Sequence, residues 1–398
     1  MTRQLTLTAA LLLTTTAASA AGIDRTLTNY GTLFEVGNYV ELSYANVSPR
    51  VSGEYTAAAT AVTGQSGTGT MSEDFSTLSG SLKYDLNDRL ALGLYVNQPF
   101  GADASYPQGL YRGLAAEWNS IGTSIVMKYK ATPNISIYGG ARSIESEANI
   151  VIPSLLLGSS IAQAQAGGGD LAGAGRTQAI LASTDPVDGP FRYTAQTDKD
   201  RQTSYIIGAA YERPEIALRV ALTYESGYTH SFNATETFAA IPGISGTRPT
   251  DISMPDVYTL DFQSGVATDT LVFGSIRHAT WSDWHVRPDG YATLTGDEVT
   301  GVDTDSTTYR IGVGRKFSDS LSGFVRVTHE PGNGDTLSRL APTDGSTAYG
   351  FGGTYTTGPI KVTGGVEYIT FGEGTDAAGT VFAENDAVAI GVSVGYRF

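Results

Sequence analysis

Cysteine is missing altogether from this 398-residue chain. Its absence excludes a disulfide scaffold, a thiolate zinc site, a cysteine nucleophile and a lipidated N-terminal cysteine. Long apolar runs are missing too. Beyond the first residues, no stretch approaches the roughly 18 consecutive apolar residues that a membrane helix needs. Basic residues are scarce, with 25 Lys and Arg against 40 Asp and Glu and a formal charge of −15. That balance argues against a nucleic-acid partner, because phosphate binding needs a basic face. No Gly-rich phosphate loop is present, and only four histidines occur.

The chain is rich instead in Gly, Tyr and Phe, with 48, 22 and 14 copies. Residues 387–398 alternate almost without error. Val388, Ile390, Val392, Val394, Tyr396 and Phe398 share one parity, and Ala389, Gly391, Ser393, Gly395 and Arg397 share the other. Successive strand side chains point to opposite faces, so this strand has one apolar face and one small, polar face. Near the other end, Thr2 and Arg3, the apolar run Leu5 to Leu13, and Ala18-Ser19-Ala20 form the pattern of a secretory signal peptide over 1–20. A chain that is secreted yet has apolar strand faces is expected to be a closed β-barrel, since only helices and closed barrels satisfy every backbone group in lipid.

Turns give the strand count. Asp85-Leu86-Asn87-Asp88, Thr132-Pro133-Asn134, Glu212-Arg213-Pro214-Glu215, Thr268-Asp269, Ser318-Asp319-Ser320 and Thr357-Gly358-Pro359 each use turn chemistry between alternating runs. Six hairpins supply twelve strands. A first strand near Asn38 to Val47 and the last strand bring the total to fourteen. Seven longer intervals, near 49–75, 101–118, 147–199, 228–254, 284–306, 330–346 and 372–386, then become outer loops. The expected fold is an all-β, 14-stranded antiparallel transmembrane barrel over 37–398, preceded by a short plug, or hatch, over 21–36. Aromatics near strand ends, namely Tyr39, Tyr44, Tyr84, Tyr95, Tyr129, Tyr138, Trp281, Trp284, Tyr396 and Phe398, suit membrane-interface girdles.

Two outer loops are unusually apolar. The third, 147–199, carries Leu155, Leu156 and Leu157, then Ile161, Leu171, Ile180 and Leu181 in an Ala/Gln-rich tract that Gly167-Gly168-Gly169 splits into two helical pieces. The fourth, 228–254, adds Phe238, Ile241 and Ile244. These side chains either cap the barrel by packing on each other or form an outer groove for a hydrophobic molecule, and the two readings are compatible. A general porin constricts its pore with charge. An apolar loop in that position favours apolar cargo.

Several segments resemble the FadL family of outer-membrane fatty acid and aromatic hydrocarbon transporters. They are Met254-Pro255-Asp256-Val257 through Ala279-Thr280-Trp281-Ser282-Asp283-Trp284, and Tyr211-Glu212-Arg213-Pro214-Glu215-Ile216 through Leu222-Thr223-Tyr224-Glu225-Ser226. Asn97-Gln98-Pro99-Phe100-Gly101 and Tyr309-Arg310-Ile311-Gly312-Val313-Gly314 match more loosely. The resemblance implies passive uptake of a hydrophobic ligand, most naturally a long-chain fatty acid, by a monomer in outer-membrane lipid and lipopolysaccharide. The ligand would pass from the outer groove to an inner pocket near the hatch and leave sideways beside a kinked third strand. On this chain the kink falls at Pro99, Phe100 and Gly101. Ile23, Leu27, Tyr30 and Phe34 would line the hatch side of the pocket, and Arg142 would meet a carboxylate. The chain departs from the family in its short hatch, which lacks the family's Asn-Pro-Ala motif. Phe398 would be read by the barrel-assembly machinery.

No cofactor, metal or catalytic site is expected. Neighbouring His230 and Ser231 fall on opposite strand faces, Asp283 and His285 form a pair at a common spacing, and Asp297, Glu298, Asp303 and Asp305 lack an EF-hand pattern. The alternatives are a general or solute-specific porin and, more distantly, a lipid-modifying barrel enzyme.

Overall fold

The computed structural model describes residues 23–398; the signal peptide expected over 1–20 lies outside them. One closed antiparallel sheet of fourteen strands forms the body. In chain order the strands are β1 (Tyr39–Arg50), β2 (Phe75–Asp85), β3 in two pieces (Leu90–Asn97 and Gly101–Ser105), β4 (Ala115–Lys130), β5 (Ile135–Ile152) and β6 (Tyr193–Thr197 and Asp200–Arg213). They continue with β7 (Leu218–Glu225 and Tyr228–Phe238), β8 (Gly246–Met254 and Val257–Ala267), β9 (Thr270–Ala279) and β10 (Ser306–Lys316). The last four are β11 (Leu321–Glu330), β12 (Ser346–Thr357), β13 (Ile360–Phe371) and β14 (Asp386–Arg397). Each strand pairs with the next. The ring closes where β1 pairs with β14 from Tyr39↔Arg397 to Arg50↔Asp386. All six turns lie where the sequence places them, with Asp269 and Gly358 supplying the positive φ of two tight hairpins.

Alternation decides what each strand shows. Leu42, Leu78, Leu94, Ile121, Ile125, Ile207, Leu222, Ile311, Val325, Phe351 and Ile390 are exposed on the outer surface, as a lipid-facing wall requires. The opposite parity faces the lumen, with polar and charged side chains such as Glu41, Arg326 and Glu367 toward the turns and large apolar ones such as Trp118 and Phe232 toward the loops. The aromatic assignments divide on the same rule. Tyr44, Tyr84, Tyr129, Tyr396 and Phe398 are exposed and fit the girdles. Tyr39, Tyr95, Tyr138, Trp281 and Trp284 are buried, so they do not belong to a girdle. Tyr39, Tyr95 and Tyr138 have inward parity, and the two tryptophans follow β9 into the barrel mouth.

The outer loops carry four short helices, α1 (Ala57–Thr63), α2 (Ser154–Gly167), α3 (Leu171–Ser183) and α4 (Asp289–Thr295). The glycine break falls between α2 and α3, where Gly169 adopts φ 86°. Among the described residues no helix is long and apolar enough to cross a membrane. The fourth loop is shorter than its sequence suggests. Residues 228–238 and 246–254 are paired strand in register from Tyr228↔Met254 to Glu236↔Gly246, because the Thr/Ser-rich alternation continues above the apolar belt. Only 239–245 is left to connect them.

Candidate functional site: a hatch, a broken strand and an apolar outer lumen

The hatch, 23–36, runs inside the barrel and is held by charge at both ends. Asp24, 1 % exposed, faces Arg277 of β9 at 3.0 Å. Glu35 pairs with Lys361 of β13 at 2.9 Å and Arg397 of β14 at 3.1 Å. Burial alone would raise the Glu35 carboxyl, but the two cations hold it below the usual glutamate value. Lys83 donates to the carbonyls of Glu35 and Gly37, at 3.1 and 2.8 Å, and Lys128 donates to that of Leu33. Between the anchors, Tyr30, Leu33 and Phe34 pack against Tyr95, Val126, Tyr138 and Ile206.

The third strand breaks at the predicted tripeptide. Asn97 pairs with Gly122 and Gly101 with Asn119, so three residues of β3 oppose two of β4. Such an extra residue bends a strand. Pro99 has no N–H to give the ladder. The Phe100 N–H donates to the Ser120 hydroxyl at 2.9 Å, and that hydroxyl donates to the Phe100 carbonyl at 2.6 Å. Phe100 turns inward onto Trp281, with ring centroids 5.8 Å apart.

On the other side of β3 the wall is incomplete. Pairing between β2 and β3 covers only Gly80↔Val96 to Asp85↔Ala91 and resumes at a bridge between Ser72 and Ala104. The interval leaves Phe75–Ser79 paired to β1 alone. Across this window the Leu78 N–H reaches the Gln98 side chain at 3.3 Å. The free edge of β3 is taken by the hatch from inside. Arg25 and Thr26 donate to the carbonyls of Pro99 and Gln98, at 2.9 and 3.1 Å, and Gly101 donates to Ile23 at 2.8 Å. Arg25 then lies across the window, 3.6 Å above the Phe75 ring and 3.1 Å from Asp103. Burial draws its guanidinium down to about 10 while Asp103 acts the other way, so it is charged at neutral pH. Gly101 permits this crossing, since a Cβ there would meet the Arg25 side chain at 2.8 Å.

The lumen has two halves. Toward the turns it is ionic, with Arg142–Glu225 at 2.9 Å and Arg326–Glu367 at 2.8 Å. Arg142 lies in the inner lumen, where Glu225 already partners it, and the Tyr30 hydroxyl donates to the same carboxylate at 2.6 Å. Beside it, a small cavity of about 60 Å³ is bordered by Leu27, Tyr30, Phe34, Arg219, Arg277 and Arg310. Below the hatch, a polar vestibule of about 770 Å³ opens among Lys83, Lys128, Arg219 and Glu212. Toward the loops the lumen is apolar. Ile23, Phe100, Leu156, Leu157, Phe238 and Ile244 join one buried cluster with Trp118, Trp281, Trp284 and Phe232, and Ile161 and Leu181 pack on it. Leu155 is half-buried, while Leu171, Ile180 and Ile241 are exposed. The loop residues therefore divide between the cap and its surface.

Sequence reasoning did not single out Asp24, Arg25, Arg277 or Trp118. The adjacent charges Asp24 and Arg25, in a hatch segment whose only other charged residue is Glu35, were the available signal for the first two. His285 pairs with Glu298 at 2.8 Å, so its partner is not Asp283. His230 is buried against Asp200 at 2.8 Å while Ser231 is exposed. Among the described residues no cluster of three or more His, Asp or Glu could hold a metal ion.

No protein-family model matches the chain, and no curated protein matches it in sequence. Solved structures do match. A FadL homologue from Pseudomonas aeruginosa superposes with a TM-score of 0.65 at 13% identity, over 92% of each chain. The Pseudomonas putida toluene transporter TodX gives 0.64 at 15% identity, over 96% of this chain and 98% of that one. The Ralstonia pickettii toluene transporter TbuX gives 0.56 at 13%, over 91% and 90%. The fold is that of the FadL-like channels. The agreement extends over nearly the whole chain.

Proposed function

We propose that this chain is an outer-membrane channel for passive uptake of hydrophobic molecules, long-chain fatty acids foremost, with lateral exit through the β2–β3 window. The observation that carries this reading is the window itself. It lies within the lipid-facing belt, flanked outside by exposed Leu78, Val96 and Ile121, and the axial route beside it is occupied by the hatch. An apolar molecule gains by moving from the loops into lipid without crossing water. The apolar outer lumen supports that direction of travel. So does the FadL-like fold, whose solved examples include proteins described as toluene transporters.

The porin alternative draws on one observation, the polar vestibule below the hatch. It requires a continuous aqueous path, and the buried aromatic cluster and the anchored hatch oppose one. The test is uptake of radiolabelled oleate and of a small sugar by cells lacking their own transporter, with and without this protein. Oleate uptake without sugar leakage supports the proposal. Sugar leakage without oleate uptake overturns it in favour of a porin.

A further inference from the structure

Two cavities approach the window from inside the barrel. One, about 50 Å³, is bordered by the hatch residues Thr26–Asn29 and by polar strand positions including Ser79 and Asn97. The other, about 80 Å³, is lined by Val47, Val51, Met71, Phe75, Ala104 and Phe371 and, from the loop side, by Leu340–Thr343. Arg25 and Asp103 border this second cavity. Nothing in the barrel's own hydrogen bonding requires an apolar hollow at a gap in the sheet. A cationic side chain laid over Phe75 at its edge is equally unexplained by packing alone.

We propose that this second cavity is an exit subsite for the apolar end of the transported molecule, and that Arg25, held by Asp103 and stacked on Phe75, is the latch that shuts it from the lipid. The proposal rests on the channel reading above and adds to it the place where the ligand pauses and the residue that releases it. The chemistry follows from the lining. Apolar walls take an alkyl or aryl group, and the guanidinium keeps the gap closed to lipid by filling it with a charge paired to Asp103. The latch sits on the hatch and not on the wall. Its movement therefore does not require the strands to part, and the missing Cβ of Gly101 is what lets the Arg25 stem lie against β3.

Two substitutions move the rate in opposite directions. Arg25→Gln removes the cation–π contact and the ion pair and raises the initial rate of oleate uptake by about threefold or more. Ala104→Phe fills the cavity and lowers the rate to about a third or less; Met71→Trp fills it from the facing side and serves if Ala104→Phe does not fold. Folding is read from the heat-dependent shift of the barrel on a gel, and Asp103→Asn reproduces the Arg25→Gln gain. A purely structural role for Arg25 gives loss in every variant, and that result overturns the latch. Normal uptake by the natural chain with unchanged rates in all variants overturns the subsite while leaving the channel intact. No uptake by the natural chain overturns both.

Discussion

Replacing Asp24 by alanine should undock the front of the hatch. Asp24 and Arg277 form a two-pronged pair, at 3.0 and 3.3 Å, with side chains 1% and 6% exposed. Removing one member of a buried pair leaves the other charge unneutralised, at a cost of about 3–5 kcal/mol. Here the orphaned cation would face Arg219 and Arg310 across the same small cavity, so relief by a neighbouring carboxylate is limited to Asp261 and to Glu225, which already pairs with Arg142. A shift of that size changes the docked population by roughly a hundred- to four-thousandfold, at about 1.4 kcal/mol per tenfold. Glu35 still ties the far end, so the hatch should swing without leaving the barrel. Single-channel recording in a planar bilayer reads this directly. The natural chain should conduct small ions rarely, and Asp24→Ala should show frequent openings, while limited proteolysis cuts within 23–36. Conductance and protection equal to the natural chain's would refute the claim that this pair holds the hatch.

Other consequences follow from the same geometry. The folded Glu35 carboxyl lies below its unfolded value, so its contribution is complete above the ordinary glutamate range near pH ~4–5 and fades as pH falls through the lower folded value. Channel openings should rise with acid over that window, and Glu35→Gln should conduct alike at all pH values tested. Gly395→Val places a Cβ on the Tyr39 ring at the closing seam, and should lower the folded fraction on a heat-modifiability gel while leaving expression unchanged. Val325→Arg sets a charge on the lipid face, 60% exposed at mid-strand, and should cost about 2–4 kcal/mol in urea unfolding from vesicles. Thr328→Arg, on the inward parity of the same strand, should cost measurably less if that parity faces a polar lumen.

The barrel was legible because its signals are local. Period-two alternation and six turn segments specify strands and count, and a one-residue slip would reverse every side chain. The apolar loops and the Pro-Gly kink were legible for similar reasons, since Pro99 cannot pair and Gly167–Gly169 cannot continue a helix. What was hidden depends on partners far apart in the chain. Arg142 reads as a free cation until the barrel closes and brings Glu225 against it, 83 residues away. The Asp24–Arg277 pair spans 253 residues. Tyr39 and Tyr95 looked like girdle aromatics because composition near strand ends does not reveal parity. The fourth loop was overdrawn because Thr, Ser and Glu in 228–238 read as loop chemistry, whereas above the membrane a strand shows polar side chains such as Ser231, Asn233 and Thr235 on its outer face.

The central claim is that cargo leaves through the wall between β2 and β3. The ladder from Asp85↔Ala91 to Gly80↔Val96, continued by two residues, would bring Leu78 opposite Gln98. The chain has no cysteine of its own, so Leu78→Cys with Gln98→Cys can be oxidised as a single staple across the window. Oleate uptake should fall on oxidation and recover on reduction, with each single variant unaffected. Undiminished uptake through the stapled barrel would contradict lateral exit and place the route along the axis.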